Sequence, residues 1–401
     1  MSSSIFAAVE MAPRDPILGL TEAFNADTRN TKVNLGVGVY YDENGKIPLL
    51  GAVKAAEKIR LDAAPARGYQ PIEGLNAYNT AVQNLLFGAE SSLVAEGRTL
   101  TIEALGGTGA LKVGADYIKR LLPGATVYIS DPSWENHRAL FEAAGFSVEN
   151  YPYYDAATRG VNVDAMLTKL NSLAAGSVVV LHACCHNPTG ADLADAQWND
   201  VVRVCQTRNL VPFLDMAYQG FADGINADAV AVRAFAASGL QFFISSSFSK
   251  SFSLYGERVG ALTIVTSAKE EAARVMSQIK RVIRTNYSNP PTHGGAIVAA
   301  VLATPELRKQ WEDELAGMRV RIRAMRMALV DKLAARGVAQ DFSFVTRQRG
   351  MFSYTGLTAA QVEKMRADFG IYAVSTGRIC LAALNNKNID YTADAIATVL
   401  K

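Results

Sequence analysis

The chain is poor in thiols and imidazoles, with four cysteines and four histidines in 401 residues. Cys184 and Cys185 are neighbours, Cys205 and Cys380 stand apart, and no pair has the CxxC spacing. Adjacent cysteines are poor geometry for an ordinary disulfide, and a structural metal site needs grouped ligands. The expectation is therefore four small buried thiols in a reducing cytoplasm. An excess of one charge is missing too: 40 basic against 38 acidic residues leave a net charge of +2. That balance gives no electrostatic footprint for nucleic acid or an anionic membrane, and partners of either kind are not expected. No apolar run approaches the ~20 residues of a membrane span. The opening MSSSIFAAVEMAPRDP lacks a basic start and places Glu10 where a secretory signal would be apolar.

What is present is the composition of an ordinary globular protein, 49% hydrophobic and 19% charged, at a length that implies two domains. Short β-branched runs alternate with amphipathic stretches through the middle of the chain. SVVVLHA (177–183), NLVPFLD (209–215), FFISSSF (242–248), ALTIV (261–265) and VYIS (127–130) read as strands. A helix is expected from Asp195 to Arg208, with Asp195 as its N-cap and Trp198, Val201, Val202 and Cys205 on one face. A second opens on the glycines of GGTGALKVGADYIKRLLPG (106–124), is stopped by Pro123 and Gly124, and buries Val113, Tyr117, Ile118 and Leu121. Strand, helix, strand at this pitch predicts an α/β layer with a largely parallel sheet. Leu315, Met318, Ile322, Met325, Leu329 and Leu333 recur at helical spacing. They predict a long helix that packs on this core and leads into a smaller α+β unit, with Arg319, Arg321, Arg323 and Arg326 on its wetter faces.

The residues able to do chemistry cluster after the strands, where open α/β sheets collect ligands. HACCHNPTG (182–190) places Asn187 in a turn. His182 and His186 lie four apart but on a strand and a turn, so they do not form a helical metal pair. In LDMAYQGF (214–221), Asp215 ends an apolar strand, so its carboxylate needs a cationic partner, and Tyr218 brings a phenol to the same spot. In SSSFSKSFSLYGERVG (245–260), Lys250 follows a hydrophobic strand, flanked by Ser247 and Ser249, with Arg258 eight residues on. Desolvation and a neighbouring cation both lower a lysine's pKa and make its amine nucleophilic. Any one of these residues, taken alone, is as well explained by a turn, a core contact or a solvated loop. As an ordered set they match what pyridoxal 5'-phosphate requires: a carboxylate for the pyridinium, donors for the ring oxygen, a Schiff-base lysine and a phosphate cradle. GGTG at a helix start supplies the cradle through backbone N–H groups, Thr108 and the helix dipole. A dinucleotide reading fails because the GxGxxG spacing is absent.

With these motifs assembled, the chain resembles the fold-type I, class I aminotransferases, in the branch that holds the aspartate and aromatic amino acid enzymes. The resemblance runs from DPILGL (15–20) to the C-terminus and includes NLGVGVYYDENGKIP, YQPIEGL, DPSWENH, RTNYSNPPTHG, RGMFSYTGL and YAVSTGR. It implies a large domain with a mostly parallel sheet flanked by helices (48–319), a smaller α+β domain (15–47 with 320–401) and an N-terminal arm (1–14). It implies that Lys250 is the Schiff-base lysine and proton shuttle, and that Asp215, backed by His137, pairs with the pyridine nitrogen. Asn187 and Tyr218 would bond the ring oxygen and Trp134 would stack on the ring. Gly107, Thr108, Ser247, Ser249 and Arg258 would hold the phosphate, joined by Tyr69 from a neighbouring subunit. Arg378 would clamp the substrate α-carboxylate, with Asn187, Trp134 and the backbone at Gly38 lining the substrate. Arg284 would cross into the partner's site of a homodimer. No metal is implied. The substrates would be amino acids and 2-oxo acids, exchanged in a ping-pong sequence.

Within that branch the residues lean toward an aromatic or broad specificity. Tyr41 and Ile47 stand where aspartate-specific bacterial relatives tend to have lysine and threonine, while Thr108 and Asn289 match the aspartate enzymes. A few such contacts shift specificity by only about 1–3 kcal/mol each. The sequence-based expectation is thus an aromatic amino acid aminotransferase with aspartate activity, set against a strictly aspartate enzyme. A cofactor-binding regulator would need an added domain for which residues 1–14 are too short.

Overall fold

In the computed structural model, residues 4–13, 15 and 17–401 are described. Seven strands form the central sheet: β1 (Thr99–Leu105), β2 (Thr126–Asp131), β3 (Ser147–Pro152), β4 (Val178–His182), β5 (Val211–Met216), β6 (Phe242–Ser247) and β7 (Val259–Val265). Their order across the sheet is β1-β7-β6-β5-β4-β2-β3. All run the same way except β7, which is antiparallel to both β1 and β6. β4 and β7 are buried at every position, as expected where helices cover both faces.

Among the helices that position the site are α1 (Gly106–Leu121), α2 (Glu135–Ala143), α3 (Asp195–Arg208), α4 (Lys269–Asn286) and α5 (Pro305–Ala335). The stripes expected for α1 and α5 are buried, with one exception. Leu121 is 54% exposed. It is the last residue of α1, beside the starts of β5 and β6, where the sheet ends and leaves the final turn uncovered. Asp195 is the first residue of α3 and not its cap. The cap position is Ala194, whose N–H donates to Gln197 Oε1 at 2.8 Å. All four cysteines are free and buried.

The arginines of α5 depart from expectation. Only Arg323 has the expected exposure, and Arg326 is 2% exposed, among the largest fully buried side chains. Its guanidinium donates to the carbonyls of Val345 (2.9 Å), Gly350 (2.8 Å) and Phe352 (2.6 Å). Arg321 likewise donates to the carbonyls of Tyr41, Ala382 and Leu384. A planar five-donor group can satisfy several loop carbonyls at once, which explains charge on a buried helix face. Replacing Arg326 with methionine keeps the bulk and strips three buried carbonyls of their donor. The expected cost is about 3–5 kcal/mol, measured as a lower urea midpoint at unchanged slope.

Three short strand pairs lie outside the main sheet: Val33–Asn34 with Ile371–Tyr372, Tyr154–Asp155 with Gly160–Val161, and Phe352–Tyr354 with Arg378–Cys380. The first pair joins the N-terminal and C-terminal parts of the chain, and the last carries Phe352 and Arg378 to the cavity at the mouth of the large sheet. Among the described residues, no helix is long and apolar enough to cross a membrane.

Candidate active site

One cavity of about 230 Å³ opens at the carboxyl ends of the parallel strands. Five strands deliver lining groups at or just after their ends. Gly107 and Thr108 follow β1, Trp134 follows β2, and His182 and Asn187 end or follow β4. Asp215, Ala217 and Tyr218 come from β5, and Ser247, Ser249 and Lys250 from β6. The reversed strand β7 explains Arg258, which precedes that strand and so reaches the same edge. Its carbonyl accepts from Gly106 N–H at 3.0 Å. Gly106 needs its glycine: its φ is +68°, and a Cβ there would lie 2.5 Å from the Arg258 guanidinium. The first N–H groups of α1 thus meet Arg258, Ser247 and Ser249, with Arg258 Nη1 3.4 Å from Ser249 Oγ. This is a basic cup at a helix N-terminus, suited to a phosphate.

At the centre, Asp215 and Lys250 are set against each other. Burial would raise the Asp215 pKa, but the hydrogen bond and charge of His137 and the charge of Lys250 outweigh it and hold the carboxyl below its usual value. His137 Nε2 lies 3.0 Å from Asp215 Oδ2, and Ser133 Oγ lies 2.9 Å from His137 Nδ1. Because a carboxylate only accepts, His137 donates from Nε2. Burial lowers Lys250 to a pKa of about 8, opposed by Asp215 and reinforced by Arg258 and Arg378. At pH 7 about one such amine in ten is neutral, against about one in three thousand for an ordinary lysine. Its Nζ lies 5.0 Å from the centre of the buried Tyr218 ring. Trp134, at the N-cap of α2, meets His137 edge-on at 5.2 Å.

The far wall holds Arg378, 1% exposed. Its guanidinium donates to Asn187 Oδ1 (3.0 Å) and to the Gly36 carbonyl (2.6 Å) and lies over the Phe352 ring at 4.3 Å. Its buried Nε has no partner. Gly38 lets Phe352 approach, since a Cβ there would lie 2.5 Å from the ring. An orphaned guanidinium nitrogen facing a cavity fits an arriving carboxylate.

Tyr69 and Arg284 are not in this cavity. Tyr69 is 96% exposed, and Arg284 is exposed on α4, bonded to Ser288. Asn289 donates to the Gln70 carbonyl at 3.0 Å, beside Tyr69. Tyr41 and Ile47 also lie outside the lining. Phe352, Ala217 and His182 line the cavity without having been singled out as site residues. Phe352 lies within RGMFSYTGL, a motif that could have flagged it. His182 is buried with both ring nitrogens unpartnered, and burial together with the charge of His137 lowers its pKa to about 3. His186 cannot join it as a metal ligand, because Ser130 and Thr189 occupy its two nitrogens at 2.9 and 2.8 Å.

Residues 30–396 match the family described as aminotransferase class I and II. The chain is 68% identical to an aspartate aminotransferase of Pseudomonas aeruginosa, over 99% of this chain and all of that one. It is 50% identical to an aromatic-amino-acid aminotransferase of Escherichia coli, again over 99% of this chain and all of that one. Among solved structures it is similar to an aromatic-amino-acid aminotransferase of Burkholderia pseudomallei covalently bound to pyridoxal phosphate. That structure has a TM-score of 0.97 and 69% identity, with both chains fully covered.

Proposed function

This chain belongs to the class I and II aminotransferases, and from that premise we propose which of its residues serve the reaction. It is a pyridoxal-phosphate-dependent aminotransferase that moves an amino group between an amino acid and a 2-oxo acid. Its substrates are aromatic and dicarboxylic L-amino acids with 2-oxoglutarate as acceptor. Relatives named for aspartate and relatives named for aromatic amino acids both cover nearly its whole length, which supports breadth. One observation carries the reading. A single cavity joins a depressed-pKa lysine, a buried carboxylate, a phosphate cup at a helix start and an arginine with an unpartnered nitrogen.

The donor set fits the cofactor. Gly107, Thr108, Ser247, Ser249 and Arg258 would hold its phosphate, Trp134 its ring face, Asn187 and Tyr218 its ring oxygen, and Asp215 with His137 its ring nitrogen. Bound there, it supplies an aldehyde and an electron-withdrawing ring that accepts the pair left when the substrate Cα–H bond breaks. Asp215 remains ionised and so holds a proton on that ring nitrogen. Arg378 orients the substrate through its α-carboxylate, with a planar fork that lysine lacks. Lys250 Nζ, neutral for a useful fraction of the time, takes the Cα proton and returns it across the same face. Two such half-reactions restore the starting protein.

Lys250 reacts with an aldehyde only when its amine is unprotonated. Uptake of added cofactor by the stripped chain, followed by visible absorbance, should therefore rise about tenfold per pH unit and level off above about pH 8. A profile flat from pH 6 to 9 would show that this lysine is not poised as described.

The reading extends to a cytoplasmic homodimer with shared sites, in which Tyr69 and Arg284 serve the partner. Their exposure and their distance from their own cavity support it. Residues 15–47 with 320–401 then form a smaller domain against 48–319, with 1–14 as an arm. The decisive test is bleaching of the holoenzyme's visible absorbance by glutamate without any 2-oxo acid. If no amino acid bleaches it, the aminotransferase reading fails. Specificity constants for phenylalanine, tyrosine and aspartate within about a hundredfold of one another are expected. A larger deficit for both aromatics would leave the strictly aspartate enzyme.

A further inference from the structure

Behind the wall that carries Phe352 lies a second cavity, about 310 Å³, between α5 and the segment 346–350. Its lining holds five arginines and one carboxylate, Asp223. Loop stapling accounts for two of the five, and Arg323 also donates to the Ala222 carbonyl at 2.6 Å. Arg326 is bound to its three carbonyls, and Arg319 donates to the Gly220 carbonyl at 2.7 Å. Arg323 and Arg349 share Asp223, at 2.6 and 2.5 Å, and their side chains remain 56% and 47% exposed. Arg347 is exposed and bonded to Ser343 Oγ at 3.3 Å. Two exposed guanidinium groups thus share one carboxylate, and a third lines the same cavity. Like charges so gathered repel one another unless an anion joins them.

A second observation is independent of charge. Gln348, in the same wall, is 5% exposed, and its Nε2 is buried without a partner. Its Oε1 is already taken by Ser353 Oγ. A buried amide donor left open is costly unless something accepts from it. The two nearby buried acids do not supply that acceptor, because their oxygens already accept from backbone N–H groups. Asp192 accepts from the backbone of Cys185 and His186, and Asp228 from Gly220, Ala222, Asp223 and Gly224.

We propose that this cavity is a binding site for a small multivalent oxyanion, bearing phosphate or several carboxylates, distinct from the substrate cavity. Arg323, Arg347 and Arg349 supply charge-assisted donors at the rim, and Gln348 Nε2 supplies a neutral donor at the base. Fork-shaped guanidinium groups suit both oxyanion classes, and the volume admits a ligand larger than one phosphate. The site shares backbone with the catalytic cavity. Arg349 N–H donates to the Gly190 carbonyl at 2.7 Å, at the end of the Asn187 turn, and Arg326 holds the Phe352 carbonyl.

The test uses holoenzyme with 2-oxoglutarate present in excess to fill the substrate cavity. Pyrophosphate and citrate are titrated separately by calorimetry at constant ionic strength. At least one should bind once per chain with a Kd below about 1 mM, and which of them binds tighter assigns the phosphate or carboxylate class. Arg323→Gln with Arg347→Gln should weaken that binding at least about tenfold, while visible absorbance and kcat at saturating substrate stay unchanged. If the pair disturbs folding, Arg347→Gln alone should weaken it at least about threefold. No saturable binding up to about 10 mM of either probe, or equal binding by the variants, would overturn the proposal. Loss of bleaching by glutamate would instead count against the aminotransferase reading, so the two failures are distinguishable.

Discussion

Replacing Lys250 with alanine is expected to lower kcat by at least about 10⁴-fold while leaving the fold intact. The proposed mechanism gives this one amine two functions, as the nucleophile that meets an incoming aldehyde and as the base that moves the Cα proton. Proton transfer by a positioned group alone is worth about 10²–10⁴-fold, and loss of the nucleophile adds to it. The fold should survive because the loop is held by other contacts. Trp311 Nε1 donates to the Ser251 carbonyl at 2.6 Å, and Trp311 stacks on Phe252 at 4.6 Å. Removing an amine whose charge is already penalised by burial should if anything raise the melting temperature slightly. The check is single-turnover kinetics beside a thermal melt. Turnover within tenfold of the parent would remove Lys250 from the mechanism.

Asp215→Asn should be nearly as damaging by a different route. The side chain keeps its shape but loses the charge that holds a proton on the ring nitrogen. Loss of one preorganised electrostatic contact costs about 10²–10³-fold in kcat, and the effect should fall on kcat more than on KM. His137 Nε2 can still donate to the asparagine oxygen, so the packing around it should change little. The asparagine nitrogen, however, is a donor and cannot accept from a protonated ring. Lys250 also loses the neighbour that raises its pKa. Cofactor uptake by the stripped variant should therefore plateau at lower pH than in the parent chain. Such a downward move would separate an electrostatic role from a merely structural one, and an unmoved profile with full kcat would contradict both claims.

The strands and the order of the site motifs could be read from the sequence because each rests on local information. β4, β5 and β6 are apolar runs bounded by turn residues, and Asn187, Asp215 and Lys250 follow or end them within a few positions. The side of the sheet on which they meet follows from parallel pairing, which alternation with helices predicts. Arg258 could be named from its place after Lys250. That it precedes the one reversed strand was not visible, since strand direction depends on pairing between residues far apart in sequence.

The misread positions share a cause. Leu121 obeys the helical period of its stripe, yet the sheet ends beside it. Arg326 sits on a helix rich in arginine, where solvent is the ordinary expectation, yet three loop carbonyls from Val345, Gly350 and Phe352 need its donors. Periodicity gives the direction of a side chain relative to its own element and says nothing of what lies opposite. The unpartnered nitrogens of Arg378, His182 and Gln348 were invisible for the same reason. Hydrogen-bond satisfaction is a property of the assembled interior.

By itself, then, the sequence determined the α/β architecture, the cofactor, and which lysine, carboxylate and hydroxyl side chains gather at the strand ends. Chemistry of that kind depends on residue type and chain order. Only the tertiary structure decided the state of those groups. Lys250 is poised near pH 8 because burial strips its water, and Asp215 stays ionised because His137 reaches it from a different strand–helix unit. Desolvation and long-range pairing arise only when distant segments close on one another.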